Sequence, residues 1–169
     1  MNGDPVIDDG LGFSVDLNLP GSTLVGYRAK PHTGVIDLDL IGHYDPTDYW
    51  EEVHSRDGHI ILDPGAFYIL VSREAVCIPP DYAAEMAPYL AMVGEFRVHY
   101  AGFFDPGFGH DSAGGAGSRG VLEVRCHEAP FVLEHGQVVG RLVYEKMAEA
   151  PTQLYGVSIA SNYQGQGLK

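Results

Sequence analysis

The chain has 169 residues, 23 of them acidic and 10 basic, a formal net charge of −13 and 45% hydrophobic content. This composition supports one domain with a real core and excludes a disordered chain. The acidic balance argues against nucleic acid or an anionic membrane as partner. Only Cys77 and Cys126 are present, too few for a disulfide framework. No apolar run reaches membrane-spanning length and no basic segment leads an apolar one at the N-terminus, so a cytoplasmic protein is expected.

In chain order, residues 12–19 alternate, with Phe13, Val15, Leu17 and Leu19 set against Ser14, Asp16 and Asn18, a strand with one buried face. Pro20-Gly21 ends it. Residues 35–41 alternate in the same way, with Ile36, Leu38 and Leu40 against Asp37 and Asp39, and predict a second strand. A polar stretch from His43 to Gly58 carries the only Trp, Trp50. Strands are expected at His59–Leu62 and, after the turn Asp63-Pro64-Gly65, at Ala66–Val71, followed by a short run Ala75–Ile78. Tyr82–Leu90, rich in Ala, Glu, Met and Leu, predicts the one short helix, shortened by Pro88. Further strands are expected at Phe96–Phe104, Gly120–Arg125, Phe131–Glu134, Val138–Tyr144 and, weakly, Gln153–Ala160, with a turn at His135-Gly136. Many short strands between Gly/Pro turns predict an all-β fold, a barrel or double-sheet jelly roll.

Residues 102–123 hold the chemistry. An apolar run leads into Asp105, turns at Pro106-Gly107 and returns after a glycine-rich insert into Val121-Leu122-Glu123. Carboxylates at the ends of apolar runs are costly unless paired, hydrogen-bonded or protonated. Read from the residues alone, Asp105 fits a turn cap and Glu123 fits either a solvated edge position or a site. Residues 109–118 read as a flexible loop, either a plain insertion or a lid. Five of the ten basic residues, Arg97, Arg119, Arg125, Arg141 and Lys146, lie between 97 and 146, so a local pocket for a phosphorylated small molecule stays open.

Several chemistries are absent. A zinc nucleobase deaminase needs His-x-Glu and Pro-Cys-x-x-Cys, which two isolated cysteines do not supply, so no zinc is expected. No His-x-His pair, Gly-x-Ser-x-Gly elbow or P-loop occurs. His43, His54 and His59 read as solvated or hydrogen-bonded residues.

The ordered set Ser14-Val15-Asp16-Leu17, Ile36-Asp37-Leu38, Ile61 to Tyr68, Ala101 to Gly107, Val121-Leu122-Glu123 and Tyr163-Gln164-Gly165-Gln166-Gly167 resembles the dCTP deaminase family of the dUTPase-like superfamily, over nearly the whole chain. The resemblance implies a distorted jelly roll, a β-clip barrel of the dUTPase-like type, assembled as trimers with sites between copies. It implies hydrolytic deamination of dCTP to dUTP without a catalytic metal, with Mg²⁺ accompanying the triphosphate. By the same resemblance Glu123 matches the general acid/base and Asp105 the residue that reads the deoxyribose. Val121 and Leu122 match backbone positions lining the base pocket, Tyr155 a sugar-contacting tyrosine, and Gln166 the glutamine of a C-terminal closing segment.

Three departures qualify it. The family's Ser-Ser-x-x-Arg segment reads Pro88-Tyr89-Leu90-Ala91-Met92 here, the lysine of the closing segment is Asn162, and the insert between Asp105 and Glu123 is longer than usual. The chain therefore resembles the C-terminal copy of a two-copy bacterial dCTP deaminase, with residues 1–169 as a single dUTPase-like domain excised from a longer chain. Two other readings are kept. One is a non-catalytic structural or nucleotide-sensing copy. The other is a dUTP pyrophosphatase-like hydrolase in which Asp105 activates water.

Overall fold

The computed structural model describes residues 6–88, 96–99 and 103–156. Ten strands are found there: β1 (Leu11–Ser14), β2 (Leu24–Ala29), β3 (Trp50–His54), β4 (His59–Leu62), β5 (Phe67–Val76), β6 (Tyr82–Pro88), β7 (Phe96–His99), β8 (Ser118–Cys126), β9 (Phe131–Glu134) and β10 (Val138–Lys146). One short helix, α1 (Pro46–Tyr49), and a 3₁₀ turn, Asp111–Ala113, complete the set. The strands form a three-stranded sheet in the order β1-β10-β6, a five-stranded sheet in the order β3-β2-β5-β8-β7, and the pair β4-β9. Every ladder is antiparallel.

The inner face of the five-stranded sheet is set by one row. Gly26 lies opposite Leu70, and Leu70 opposite Leu122. Leu70 and Leu122 are fully buried, and a Cβ at position 26 would run into the Leu70 side chain and the Ile69 carbonyl, so the row closes only with glycine there. Phe13, Phe104 and Phe108 stack edge to face through the core, with centroids 5.9 and 5.2 Å apart. Gly120 lets them approach β8, since a Cβ there would meet the Phe13 ring at 2.6 Å.

Several expected elements change. Tyr82–Pro88 is strand, not helix, because seven successive residues pair with β10, from Tyr82 opposite Lys146 to Pro88 opposite Gly140. Helix propensity is a weak prior that such a ladder overrides. Residues 35–41 form no strand. They belong to a long connection between β2 and β3, and Val35, Leu38 and Ile41 are 93, 85 and 94% exposed. The runs Ala66–Val71 and Ala75–Ile78 merge into the single strand β5, with a register shift between Val71 and Ala75. Strands β2 and β3 lie where none was expected, and the helix falls at Pro46–Tyr49. That helix is capped by Asp45, which accepts from the Thr47 amide at 2.8 Å and the Thr47 hydroxyl at 2.7 Å. Residues 153–156 carry no named strand, and 157–160 lie outside the described residues.

Candidate active site

Along β8, buried Ser118, Gly120, Leu122, Val124 and Cys126 alternate with half-buried Arg119, Val121 and Glu123 and exposed Arg125. Glu123 and Val121 thus share the outer face of the five-stranded sheet. Leu122 points into the core, so it can meet a ligand on that face only through its backbone. Register places Glu123 in a cross-strand row that sequence reading did not anticipate: Glu52, Tyr27, Ile69, Glu123 and, by backbone position, His99. In the next row Phe67 lies opposite Arg125, whose guanidinium sits 4.8 Å from the ring centroid, and Trp50 packs 6.0 Å from the same ring. Glu123 therefore has apolar Val121 and Ile69 on two sides and a guanidinium on its own strand two residues on. Among the described residues no side chain is hydrogen-bonded or ion-paired to it. The arrangement is a half-buried carboxylate with acceptor oxygens on a partly apolar surface.

Asp105 and Tyr155 are brought together elsewhere, at the turn Asp105–Phe108. The Phe108 amide donates to the Asp105 carbonyl at 3.0 Å, and Gly107 turns the chain with φ 97°. The Tyr155 amide donates to the Pro106 carbonyl at 3.0 Å, and its ring lies 6.0 Å from Phe108. The Asp105 side chain is exposed, and its partial desolvation at the turn raises its pKa from the ordinary 3.8. A carboxyl whose folded pKa is raised favours the folded state when protonated. That contribution is complete below 3.8 and is lost as pH rises through the raised value. Asp105→Asn, neutral at every pH, is accordingly expected to melt together with the native chain near about pH 4 and above it near about pH 7. Thermal melts at the two pH values check this, and equal differences at both would refute it.

A polar network that sequence reading missed fixes the start of β8. Asp16, expected on a solvated face, is 3% exposed. Its carboxylate meets Arg119 Nη1 at 2.6 Å and accepts from the Asn18 amide at 3.1 Å, with His135 Nδ1 3.3 Å away. Glu74 accepts from the Ser14 amide at 2.7 Å and the Ser14 hydroxyl at 2.6 Å. Ser72 accepts from the Gly120 amide at 2.8 Å and donates to the Glu74 carbonyl. These bonds explain the register shift in β5: Ser72 and Glu74 leave the ladder to tie β1 and β8 together. The available signal was the apolar flanking of Ser14 and Asp16 on both sides.

The glycine-rich insert is not a loose loop in this structure. Gly117 donates to Gly109 at 2.8 Å, Gly115 donates to His110 at 2.9 Å, and the Ile78 amide and carbonyl bond to Phe108 and Gly107. His54 bonds Thr23 and Glu52, and His59 lies 3.2 Å from Asp57, as expected of hydrogen-bonded histidines. Among the described residues no three His, Cys, Asp or Glu converge as a metal site. An open polar cleft of about 480 Å³, lined in part by Arg56, His59, Glu134 and His135, includes neither Glu123, Val121 and Leu122 nor Asp105 and Tyr155. Gln166 and residues 89–92 lie outside the described residues, and no described helix is long and apolar enough to cross a membrane.

Comparison with known proteins bears on this geometry. The profile of the family "2'-deoxycytidine 5'-triphosphate deaminase (DCD), C-terminal domain" matches residues 1–169. The dCTP deaminase, dUMP-forming, of Methanothermobacter thermautotrophicus is 32% identical over 160 residues, covering 90% of this chain and 74% of that protein. The dCTP deaminase of Haloarcula marismortui is also 32% identical over 160 residues, with the same coverage. The crystal structure of 2'-deoxycytidine 5'-triphosphate deaminase from Agrobacterium tumefaciens is 60% identical with a TM-score of 0.80, and the match covers 90% of this chain and 45% of that one. This chain thus spans under half the length of that solved relative. Its antiparallel sheets are the distorted jelly roll of the dUTPase-like type. With the profile matched throughout and the fold shared at this identity, the chain belongs to the dCTP deaminase family, as a C-terminal domain.

Proposed function

We propose that this chain carries the proton-relaying carboxylate of a dCTP deaminase, with part of the site supplied by another copy of the domain. The observation that carries the reading is the position of Glu123, between Val121 and Ile69 on an accessible sheet face, in a chain of this family. Glu123 takes a proton from water as the oxygen adds to C4 of cytosine, and delivers it to N3. It then moves a second proton from the new hydroxyl to the amino nitrogen. The C4–N bond breaks, ammonia leaves, and C4 becomes the carbonyl of uracil. Asp105 and Tyr155 bind the deoxyribose. The backbone of Val121 and Leu122 lines the base pocket, and Gln166 belongs to the closing segment. Mg²⁺ travels with the triphosphate. Because Pro88-Tyr89-Leu90-Ala91-Met92 stands where the family has phosphate-binding Ser and Arg, those groups come from the other copy. The setting is cytoplasmic, with free nucleotides.

A second reading has its own observation: some relatives are named dUMP-forming. In it the product dUTP is also hydrolysed, with water activated near Asp105. Incubation of dCTP with the full-length polypeptide separates the two. Ammonia and dUTP in equal amounts are expected. Pyrophosphate and dUMP accompanying the ammonia would establish the second reading. No ammonia would leave a structural or nucleotide-sensing copy.

A further inference from the structure

The polar cleft lies where three connections meet: Asn18 after β1, the β3–β4 turn with His59, and Glu134 with His135 at the β9–β10 turn. Hydrogen bonds fix these segments to one another. The His135 amide donates to the Gly58 carbonyl at 2.7 Å, the Gly58 amide to the Ser55 hydroxyl at 3.0 Å, and the Gly136 amide to the Val15 carbonyl at 2.9 Å. His59 and Glu134 are direct cross-strand partners. On this frame the two imidazoles have opposite roles. His135 Nδ1 accepts from the Leu17 amide at 3.2 Å, so in the neutral ring Nε2 carries the proton and donates. His59 Nδ1 lies 3.2 Å from the Asp57 carboxylate, which only accepts, so Nδ1 carries the proton there and Nε2 accepts. Arg28, Arg119 and Arg141 are each ion-paired, and Arg125 lies over Phe67. Arg56 and Glu134 instead line one cleft without pairing, and among the described residues neither side chain has another partner.

We propose that this cleft binds a phosphorylated polyol, a sugar phosphate with free hydroxyl groups. The Arg56 guanidinium takes the phosphate, because its planar fork of donors matches two phosphate oxygens, and the Asn18 amide adds a further donor. A hydroxyl donates and accepts at once, and His59 Nε2 with His135 Nε2–H offers it one acceptor and one donor. Glu134, which only accepts, takes a second hydroxyl. The volume of about 480 Å³ is that of a small-molecule site. Its lining holds no aliphatic side chain and no Phe, Tyr or Trp, so the fitting ligand is hydrophilic on every side. A nucleobase, or the side chain of an apolar amino acid, finds no apolar surface there. The inference does not depend on which reaction Glu123 performs.

The test is calorimetric titration of the full-length polypeptide with ribose 5-phosphate, inorganic phosphate, ribose and the zwitterion β-alanine, for the native protein, Arg56→Gln and Glu134→Gln. Ribose 5-phosphate is expected to bind with Kd below about 1 mM, and at least about tenfold more tightly than any of the other three. Arg56→Gln should weaken it at least about tenfold. Glu134→Gln should also weaken ribose 5-phosphate but should not weaken inorganic phosphate, because it removes a hydroxyl acceptor and leaves the guanidinium in place. Both variants should melt with the native protein, since both residues are exposed and neither has a side-chain partner to lose. Equal affinity for inorganic phosphate would reduce the cleft to a simple anion site, and tighter binding of β-alanine would give it another ligand class. Either result, no saturable binding, or binding that Arg56→Gln leaves intact would overturn the proposal.

Discussion

Glu123→Gln in the full-length polypeptide is expected to bind dCTP as before and to lose deamination by about 10²–10⁴-fold. The amide keeps the shape of the side chain and one acceptor oxygen, but cannot take a proton from water and return it to N3. Stability should stay within about 0.5 kcal/mol of native, because Glu123 is half-exposed and no described side chain bonds to it. The loss is therefore readable as chemistry and not as unfolding. Asp105→Asn should behave differently, weakening nucleotide binding while sparing part of the turnover, since Asp105 sits at a separate turn with Tyr155. Ammonia release and equilibrium dCTP binding, measured on both variants, make the comparison. Wild-type turnover by Glu123→Gln would remove the proton-shuttle role and return the domain to a structural reading.

Gly109→Ala is expected to cost about 2–4 kcal/mol of stability, more than Gly114→Ala in the same insert. Gly109 has φ +65°, where a side chain is already strained, and an added Cβ would strike the Val76 carbonyl and lie 2.7 Å from the Ser118 amide nitrogen. Gly115 is packed against it in turn, with its own Cβ position 2.5 Å from the Gly109 carbonyl carbon. Gly114, at φ +75°, has nothing within 4 Å, so Gly114→Ala should cost only the left-handed strain, about 1–2 kcal/mol. Urea midpoints of the two variants give the comparison. Equal losses would mean that the insert is not seated against the end of β5, and the lid reading of residues 109–118 would regain its ground.

Local chemistry was enough wherever a strand and its turn are adjacent in sequence. Strands β4 and β9 fall at His59–Leu62 and Phe131–Glu134, the short apolar runs that the turns Asp63-Pro64-Gly65 and His135-Gly136 bound. The all-β class was legible from many short strands between Gly/Pro turns, whereas the face that Glu123 occupies stayed open between a solvated edge position and a site. What the sheet faces meet was not legible. Ile69 lies beside Glu123 only because β5 and β8 pair across 54 positions of chain, and nothing local encodes that register. Asp16 was unreadable as a buried ion because its partner, Arg119, is 103 residues away. Tyr82–Pro88 has a helix-like composition and becomes a strand because β10 supplies a ladder of backbone partners. Residues 35–41 alternate like a strand and are none, because no described strand pairs with them, and Val35, Leu38 and Ile41 stay in solvent. Sequence thus determined the local periodicities and turn positions, which are short-range steric and solvation preferences. Tertiary structure decided burial, pairing and site composition, because these depend on which distant segment arrives to exclude water.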